Sequence, residues 1–319
     1  MNIKKILKPI WIILIGILLV LIGYMLGGRM KYFMYKIPAK DSRLDRMYKN
    51  ILGREIYEEI FEQREDEYMK ERSNNFFEGK TETLNDITDV SVSLKYATLE
   101  IDLTSDFDYA QYSVENIKPE NFICKIENGK LIIEDKTPKK NILNNFFEIN
   151  KRKNIPRIML KMPQNFVCKN LNLHAGVSEI KLNGITADNF VFESGVGDAR
   201  FENIRIKASC KFNAGVGETK IIDSEINNLI LEAGVGEVYF SGKLSGNTIL
   251  SGGIGETTFS LEGSESDYNF DLSTGLGKIK INGQSSSSFL GSHKSENNGA
   301  ANNIKITSGI GEVKIKFKK

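Results

Sequence analysis

The sequence predicts an all-β body, a parallel β-solenoid of about twenty-residue rungs, preceded by an N-terminal transmembrane helix and a charged helical stalk. Three observations predict it. A phrase of eight residues, Gly-Val-Gly-acidic at its centre, returns seven times between residues 175 and 315. Apolar residues on either side of the phrase step by two, as inward-facing strand residues do. Pro9 to Gly28 is a run of twenty residues without a charge.

The N-terminal elements come first. Residues 1–8 form a short basic tail with Lys4, Lys5 and Lys8. The run 9–28, at about 1.5 Å per residue, spans roughly 30 Å, one hydrocarbon core. A cleaved signal peptide calls for an apolar stretch of about 7–15 residues and small residues at the cut. Tyr24–Met30 offers no Ala-x-Ala, and no Cys follows for a lipid. An uncleaved single-pass anchor in the lipid bilayer of the cell membrane is expected. Arg29, Lys31, Lys36 and Lys40 nearly balance the N-terminal lysines, so the positive-inside rule does not choose a side; the short tail favours an extracellular C-terminal domain.

Residues 29–86 read as juxtamembrane linker and helical stalk. Asp41–Arg72 holds ten acids and seven bases. Leu44, Tyr48, Ile51, Leu52, Ile56 and Ile60 recur at steps of three and four, a helical stripe. Gly53 inside it costs about 1 kcal/mol relative to Ala. The distal half is acidic, which anionic lipid repels, so a packed or self-paired stalk is expected over a membrane-surface helix.

The body is residues 87–319. The first glycine of each phrase is Gly176, Gly195, Gly215, Gly234, Gly253, Gly275 or Gly309, at intervals of 19, 20, 19, 19, 22 and 34. A fixed period near twenty means stacked copies of one small unit. Five and three residues before each glycine stand Leu171/Leu173, Phe190/Phe192, Cys210/Phe212, Leu229/Leu231, Thr248/Leu250, Phe270/Leu272 and Ile304/Ile306. These, the residue after the glycine (Val177 to Ile310) and the residue six after it (Leu182 to Ile315) are expected to face inward. The glycines turn the corner at positive φ. Cys210 lies in an inward column and reads as core. Residues 87–165 are expected as degenerate first coils and 166–319 as regular repeats. The Ser-rich insertion, roughly Gly283 to Asn298 with His293 inside it, reads as a flexible loop. The lysines of the last strand (Lys314, Lys316, Lys318, Lys319) read as guards of an open sheet edge.

At these residues the chain resembles the bacterial putative-adhesin domains, a family of otherwise unknown function. The resemblance is carried by the repeated Gly-Val-Gly-acidic phrase and by the strand ending in Met162–Pro163, and it covers about Ile87 to Lys319. It implies a β-solenoid on a membrane-anchored envelope protein and brings no catalytic residues. Ser178, Lys278 and the Ser-rich insertion depart from the pattern.

Chemistry is sparse. Forty-three Lys+Arg against 41 Asp+Glu leave +2, with no basic excess for nucleic acid. Three cysteines and two distant histidines do not suggest a disulfide framework or a zinc site. The dinucleotide fingerprint lacks its third glycine in every repeat, and no Gly-Lys-Ser/Thr exists for a phosphate loop. The calcium-roll motif fails at Thr257, where an acid is needed. The acidic column Glu179, Asp198, Glu218, Glu237, Glu256 and Glu312 is a candidate cation ladder. Lys181, Arg200, Lys220, Lys280 and Lys314, two residues on, answer its charge, so a solvated ladder is preferred. No catalytic, cofactor or metal residues are expected, and His174 reads as solvated. The expected function is non-enzymatic envelope binding, adhesion or stress sensing. Its candidate face carries Arg200, Lys220 and Tyr239, and its partner is a wall polymer or envelope protein. The alternatives are a carbohydrate-active enzyme on the same scaffold, or a cytoplasm-facing scaffold recruiting a regulatory partner.

Overall fold

A computed structural model describes residues 76–84, 86–138, 155–285 and 290–318, all within the second of two units, Asn74–Lys319. The expected anchor (9–28) and stalk helix (41–72) lie outside the described residues, among which no helix is long and apolar enough to cross a membrane. Apart from two single 3-10 turns, Pro119–Asn121 and Glu265–Asp267, the regular structure described is all strand.

The N-terminal strands are β1 (Phe76–Thr83), β2 (Asp89–Ser105), β3 (Tyr109–Glu115), β4 (Phe122–Glu127), β5 (Lys130–Asp135) and β6 (Arg157–Pro163). The glycine-bearing part follows with β7 (Val167–Asn183), β8 (Thr186–Val196), β9 (Ala199–Glu202), β10 (Arg205–Val216), β11 (Thr219–Asn227), β12 (Leu229–Val235), β13 (Val238–Ser245), β14 (Asn247–Ile254) and β15 (Thr257–Glu262). The chain ends with β16 (Tyr268–Leu276), β17 (Ile279–Ile281), β18 (Gln284–Ser285), β19 (Leu290–Glu296), β20 (Asn302–Ile310) and β21 (Val313–Lys318).

From β7 to β13 each strand lies parallel to the one about twenty residues further on. Phe190 pairs with Leu171 and Cys210, Cys210 with Leu229, and Phe201 with Leu182 and Ile221. Like positions therefore stack in columns about 4.8 Å apart. The inward columns are those expected five and three residues before the glycine and six after it. Phe190, Phe192, Phe201 and Phe212 are fully buried, with ring centroids 4.9–5.4 Å apart in edge-on and tilted contacts. Cys210 is buried in the same column.

The residue after the first glycine does not face inward. Val196, Val216, Leu276 and Ile310 are 40–47% exposed, and Val177, Val235 and Ile254 are half-buried. The corner causes this. Phe192 and Ala199 are both buried although seven residues apart, an odd step that strict alternation forbids. The bend at Gly-x-Gly shifts the parity by one, and the middle residue is left outside.

A neighbouring backbone closes both corner glycines to a side chain, and the second also carries a positive φ. The second carries φ between +138° and +149° in six corners, Gly197 to Gly311, as expected. The first has no such φ. A Cβ there would meet a carbonyl oxygen of the neighbouring coil at 2.2–2.7 Å, so close approach of two backbones excludes a side chain. Where Ser178 replaces the second glycine, β7 runs unbroken from Val167 to Asn183.

Chain order and stacking order part company towards the C-terminus. β14 pairs with β20, not β16, and β20 pairs in turn with β16; β15, β21 and β17 follow the same order. The seventh phrase thus lies between the fifth and the sixth. The interval of 22 between Gly253 and Gly275 supplies the residues that step over the intervening coil. Two expectations change here. The lysines of β21 do not guard an outer edge, because Val313–Ile315 has partners on both sides. The insertion is not simply a flexible loop: β19 runs antiparallel along β16 and closes the stack, and Ser292 within it is buried.

At the other end β2 lies parallel to β7 in one register from Asp89↔Asn170 to Asp102↔Asn183. It carries β5 and β6 on its far side. Beyond these, pairing turns antiparallel, β4 on β5 and β3 on β6, with β1 on β3. The segment read as degenerate first coils is one full coil, β2, followed by a mixed cap. β1 falls within the 29–86 stretch read as linker and stalk; its Gly79 lies under the Tyr112 ring.

Candidate interaction surfaces

Three outward features stand on this scaffold. The first is the charged face formed by β9, β11, β13, β15, β21 and β17. Register aligns Arg200 with Lys220 and Lys220 with Tyr239, so the three residues singled out from the sequence are neighbours. Lys181 flanks them on one side and Thr258 on the other. The acidic column runs alongside, and the two columns pair. Lys220 Nζ is 2.5 Å from Glu218 Oε1, Lys181 Nζ 3.5 Å from Glu179 Oε1, and Lys280 Nζ 2.5 Å from Glu312 Oε1. Lys314 Nζ reaches both Glu256 (2.7 Å) and Glu312 (3.2 Å). Arg200 pairs with Glu202. The hydrogen bond from Lys314 holds the Glu256 carboxyl below its ordinary value, and that from Lys280 does the same for Glu312. Lys314 is raised in return, chiefly by its bond to Glu256. Asp198 and Glu237 have no cation partner among the described residues; Asp198 Oδ1 accepts the Glu218 N–H (2.9 Å). Among the described residues no group of three or more His, Cys, Asp or Glu gathers closely enough to hold a metal ion.

The second feature is an asparagine ladder that the sequence reading passed over. Asn189 Nδ2 donates to Asn170 Oδ1 (3.1 Å) and Ser209 Oγ to Asn189 Oδ1 (2.7 Å). Asn303 Nδ2 donates to Asn247 Oδ1 (3.0 Å) and Asn269 Nδ2 to Asn303 Oδ1 (2.9 Å). Asn228 Oδ1 accepts the Asn247 N–H (3.1 Å). At the N-terminal end Asn170 Nδ2 donates to Asp89 Oδ1 (2.6 Å), and the bonds from Thr88 and Asn170 hold the Asp89 carboxyl below its ordinary value. The signal was in the sequence: six residues before the first glycine stand Asn170, Asn189, Ser209, Asn228, Asn247, Asn269 and Asn303. These amides are spent on one another and act as a structural spine.

The third is the apolar row on the corner. Tyr96, Val177, Val196, Val216, Val235, Ile254, Ile310 and Leu276 follow one another strand by strand in register. The two histidines lie near opposite ends of the neighbouring column. His174 Nδ1 is 3.0 Å from Glu193 Oε2, above a shallow hollow lined by Leu94, Gly176, Gly195 and Asn213. His293, in β19, is 3.9 Å from Asp271, which Lys305 also reaches at 3.1 Å. The Ser-rich stretch thus gives His293 a place in a strand, beside a carboxylate. Burial pushes the Cys124 and Cys168 thiols up to about 12 and that of Cys210 well above its ordinary value.

These features define an all-β body that presents uniform outward columns on a stack of short, mostly parallel strands. The chain belongs to the Toastrack DUF4097 family, whose model matches residues 86–316. No curated protein matches it. Among solved structures it is similar to a "putative cell adhesion protein" from Clostridium sporogenes, 14% identical over 76% of this chain and 100% of that one, TM-score 0.33. It is similar also to a "putative adhesin" from Bacteroides fragilis, 11% identical over 75% of this chain and 96% of that one, TM-score 0.28. A third is a "putative lipid binding protein" from Parabacteroides distasonis, 12% identical over 78% of this chain and 98% of that one, TM-score 0.26.

Proposed function

We propose that this chain is a non-enzymatic, single-pass membrane protein of the cell envelope, its body a parallel β-solenoid that serves surface binding, adhesion or envelope-stress sensing. The charge-free run 9–28 supports the anchor, and the offset of 19 or 20 residues between successive parallel strands supports the solenoid. One observation carries the functional reading: the outward columns repeat the same chemistry coil after coil, with charges largely paired among themselves. Such a lattice fits a ligand that is itself repetitive, a wall polymer, or a broad protein contact. Weak contacts of Arg200, Lys220 and Tyr239 then add along its length.

The test has two arms. Ser251, exposed on β14, is changed to Cys, and wall-stripped cells are treated with a membrane-impermeant maleimide; Cys168 and Cys210 are buried, and half-buried Cys124 has its thiol pushed up to about 12. Labelling of intact cells is expected. Labelling only after the membrane is opened would place the body in the cytoplasm and exclude adhesion. In the second arm the full chain is sedimented with purified wall polymer. Co-sedimentation weakened by Arg200→Ala with Lys220→Ala is expected, and its absence would sink the polymer reading.

A further inference from the structure

The corner ladder is an apolar row left outside the packed interior, with Val196, Val216, Leu276 and Ile310 exposed and the other members half-buried. Every member but Tyr96 stands between two glycines, or between Gly176 and Ser178 in the case of Val177, so its chain neighbours bring little side chain to cover it. Eight rungs at about 4.8 Å make a strip about 34 Å long. An exposed apolar strip of this regularity marks a contact surface.

Its flanks say what kind of contact. Two residues beyond the row runs the acidic column, with Asp198 beside Val196 and Glu237 beside Val235. Three residues before it, on the other flank, stand Glu193 and Glu232, next to Val196 and Val235. Asp198, Glu232 and Glu237 have no cation partner among the described residues, and Glu193 has only His174. The middle of the strip, Val196–Val216–Val235, is thus apolar with carboxylates on both sides; Lys211 stands further out, between Val191 and Ile230.

These charges argue against a second copy. A two-fold axis along the ladder would set Asp198 against the partner's Glu193 and Glu237 against the partner's Glu232. An axis across the ladder would set the acidic column against itself. An anionic lipid surface is repelled for the same reason. We propose that the corner ladder binds a cationic amphipathic segment of another polypeptide. Its apolar row lies on Val196, Val216 and Val235, and its Lys or Arg side chains reach Asp198, Glu232 and Glu237. A helix of about 22 residues, or about ten extended residues, would cover the strip. The proposal does not depend on which side of the membrane the body faces, nor on the face carrying Arg200.

The test uses the full chain in nanodiscs of uncharged phosphatidylcholine, with empty discs subtracted. The probe is a fluorescein-labelled helical peptide of about 18 residues, Leu on one face and Lys on the other, against its Leu/Glu counterpart. Fluorescence anisotropy is expected to report saturable binding of the Lys peptide alone, weakened by salt. Val196→Ser with Val216→Ser and Val235→Ser, the first two exposed and the third half-buried, should weaken it about tenfold with an unchanged melting curve. Asp198→Asn with Glu237→Gln should weaken it comparably, and Arg200→Ala should not. Four results overturn the proposal: no binding, equal binding of the Glu peptide, loss in the charge variant but not in the serine variant, or a concentration-dependent dimer that the serine variant abolishes.

Discussion

Gly236→Ala offers the sharpest test of how the stack holds together. Gly236 sits at φ +147°, and a Cβ built on it would lie 1.9 Å from the carbonyl oxygen of Gly217 and 2.7 Å from its carbon. Two costs follow. The conformation alone costs an L-residue about 1–2 kcal/mol. The clash is with backbone, so the two coils must part by about 1 Å to turn 1.9 Å into a tolerable contact. That strains the bonds Gly217 N–H to Val235 O (3.0 Å) and Thr219 N–H to Glu237 O (2.8 Å), each worth about 1 kcal/mol. The sum is about 3–4 kcal/mol, against roughly 5–15 for a whole domain. Gly283→Ala is the matched control: its φ is +83°, but a Cβ there meets nothing within 4 Å. It should lose only the conformational part. Thermal melts of the full chain in detergent, followed by far-UV circular dichroism, read the difference at about 2–4 °C per kcal/mol. If the two variants melt within a degree of each other, close stacking of corner backbones is not what excludes the side chain.

Calcium at about 1 mM should leave the melting temperature unmoved, because Lys181, Lys220, Lys280 and Lys314 already engage the acidic column. A site with a Kd a hundredfold below the added ion would add about 2.7 kcal/mol, and a rise of that size lost in Glu218→Gln with Glu237→Gln refutes the solvated ladder. Glu256 and Glu312 are held below the ordinary 4.5 in the folded state, so their contribution is complete above that value and lost as pH falls through the lowered one. Acidification below about pH 4.5 should therefore lower the melting temperature, and less so in Glu256→Gln with Glu312→Gln. With Cys124 and Cys168 pushed up to about 12 and Cys210 raised by full burial, no native thiol should react with maleimide near pH 8 until urea is added. Rapid labelling of the folded protein would contradict the burial of Cys168 and Cys210 and the raised thiol of half-buried Cys124.

The inward columns were legible because burial demands an apolar residue at every coil, and Leu171, Phe190, Cys210 and Leu229 supply it at constant spacing. Val196 and Val216 carry the same letters and face solvent; composition does not record the parity shift of a bend, so their placement was misread. The asparagine spine was equally periodic. It was passed over because a single Asn reads as a turn residue until its neighbours are seen to bond to it. The order of the last two coils was not legible. Both satisfy every column, and only the interval of 22 hinted that one was being stepped over. The charged face was read as a pair of opposed columns, and its ion pairs follow from that; which carboxylates stay unpaired depends on side-chain geometry that spacing does not carry.

The position of β20 and β21 has a consequence for biosynthesis. They follow every other described strand in the chain, yet they are bounded on both sides, by β14 and β15 and by β16 and β17. Until Asn302–Lys318 arrives, the growing chain holds two raw strand edges facing one gap. Nothing earlier in the sequence occupies that place in the finished molecule. A message cut short there, or a chain trimmed by a protease, keeps every coil from β2 to β15 and still exposes backbone that invites aggregation. Arrival of this segment is thus a checkpoint: only with Asn302–Lys318 in place are those two edges paired.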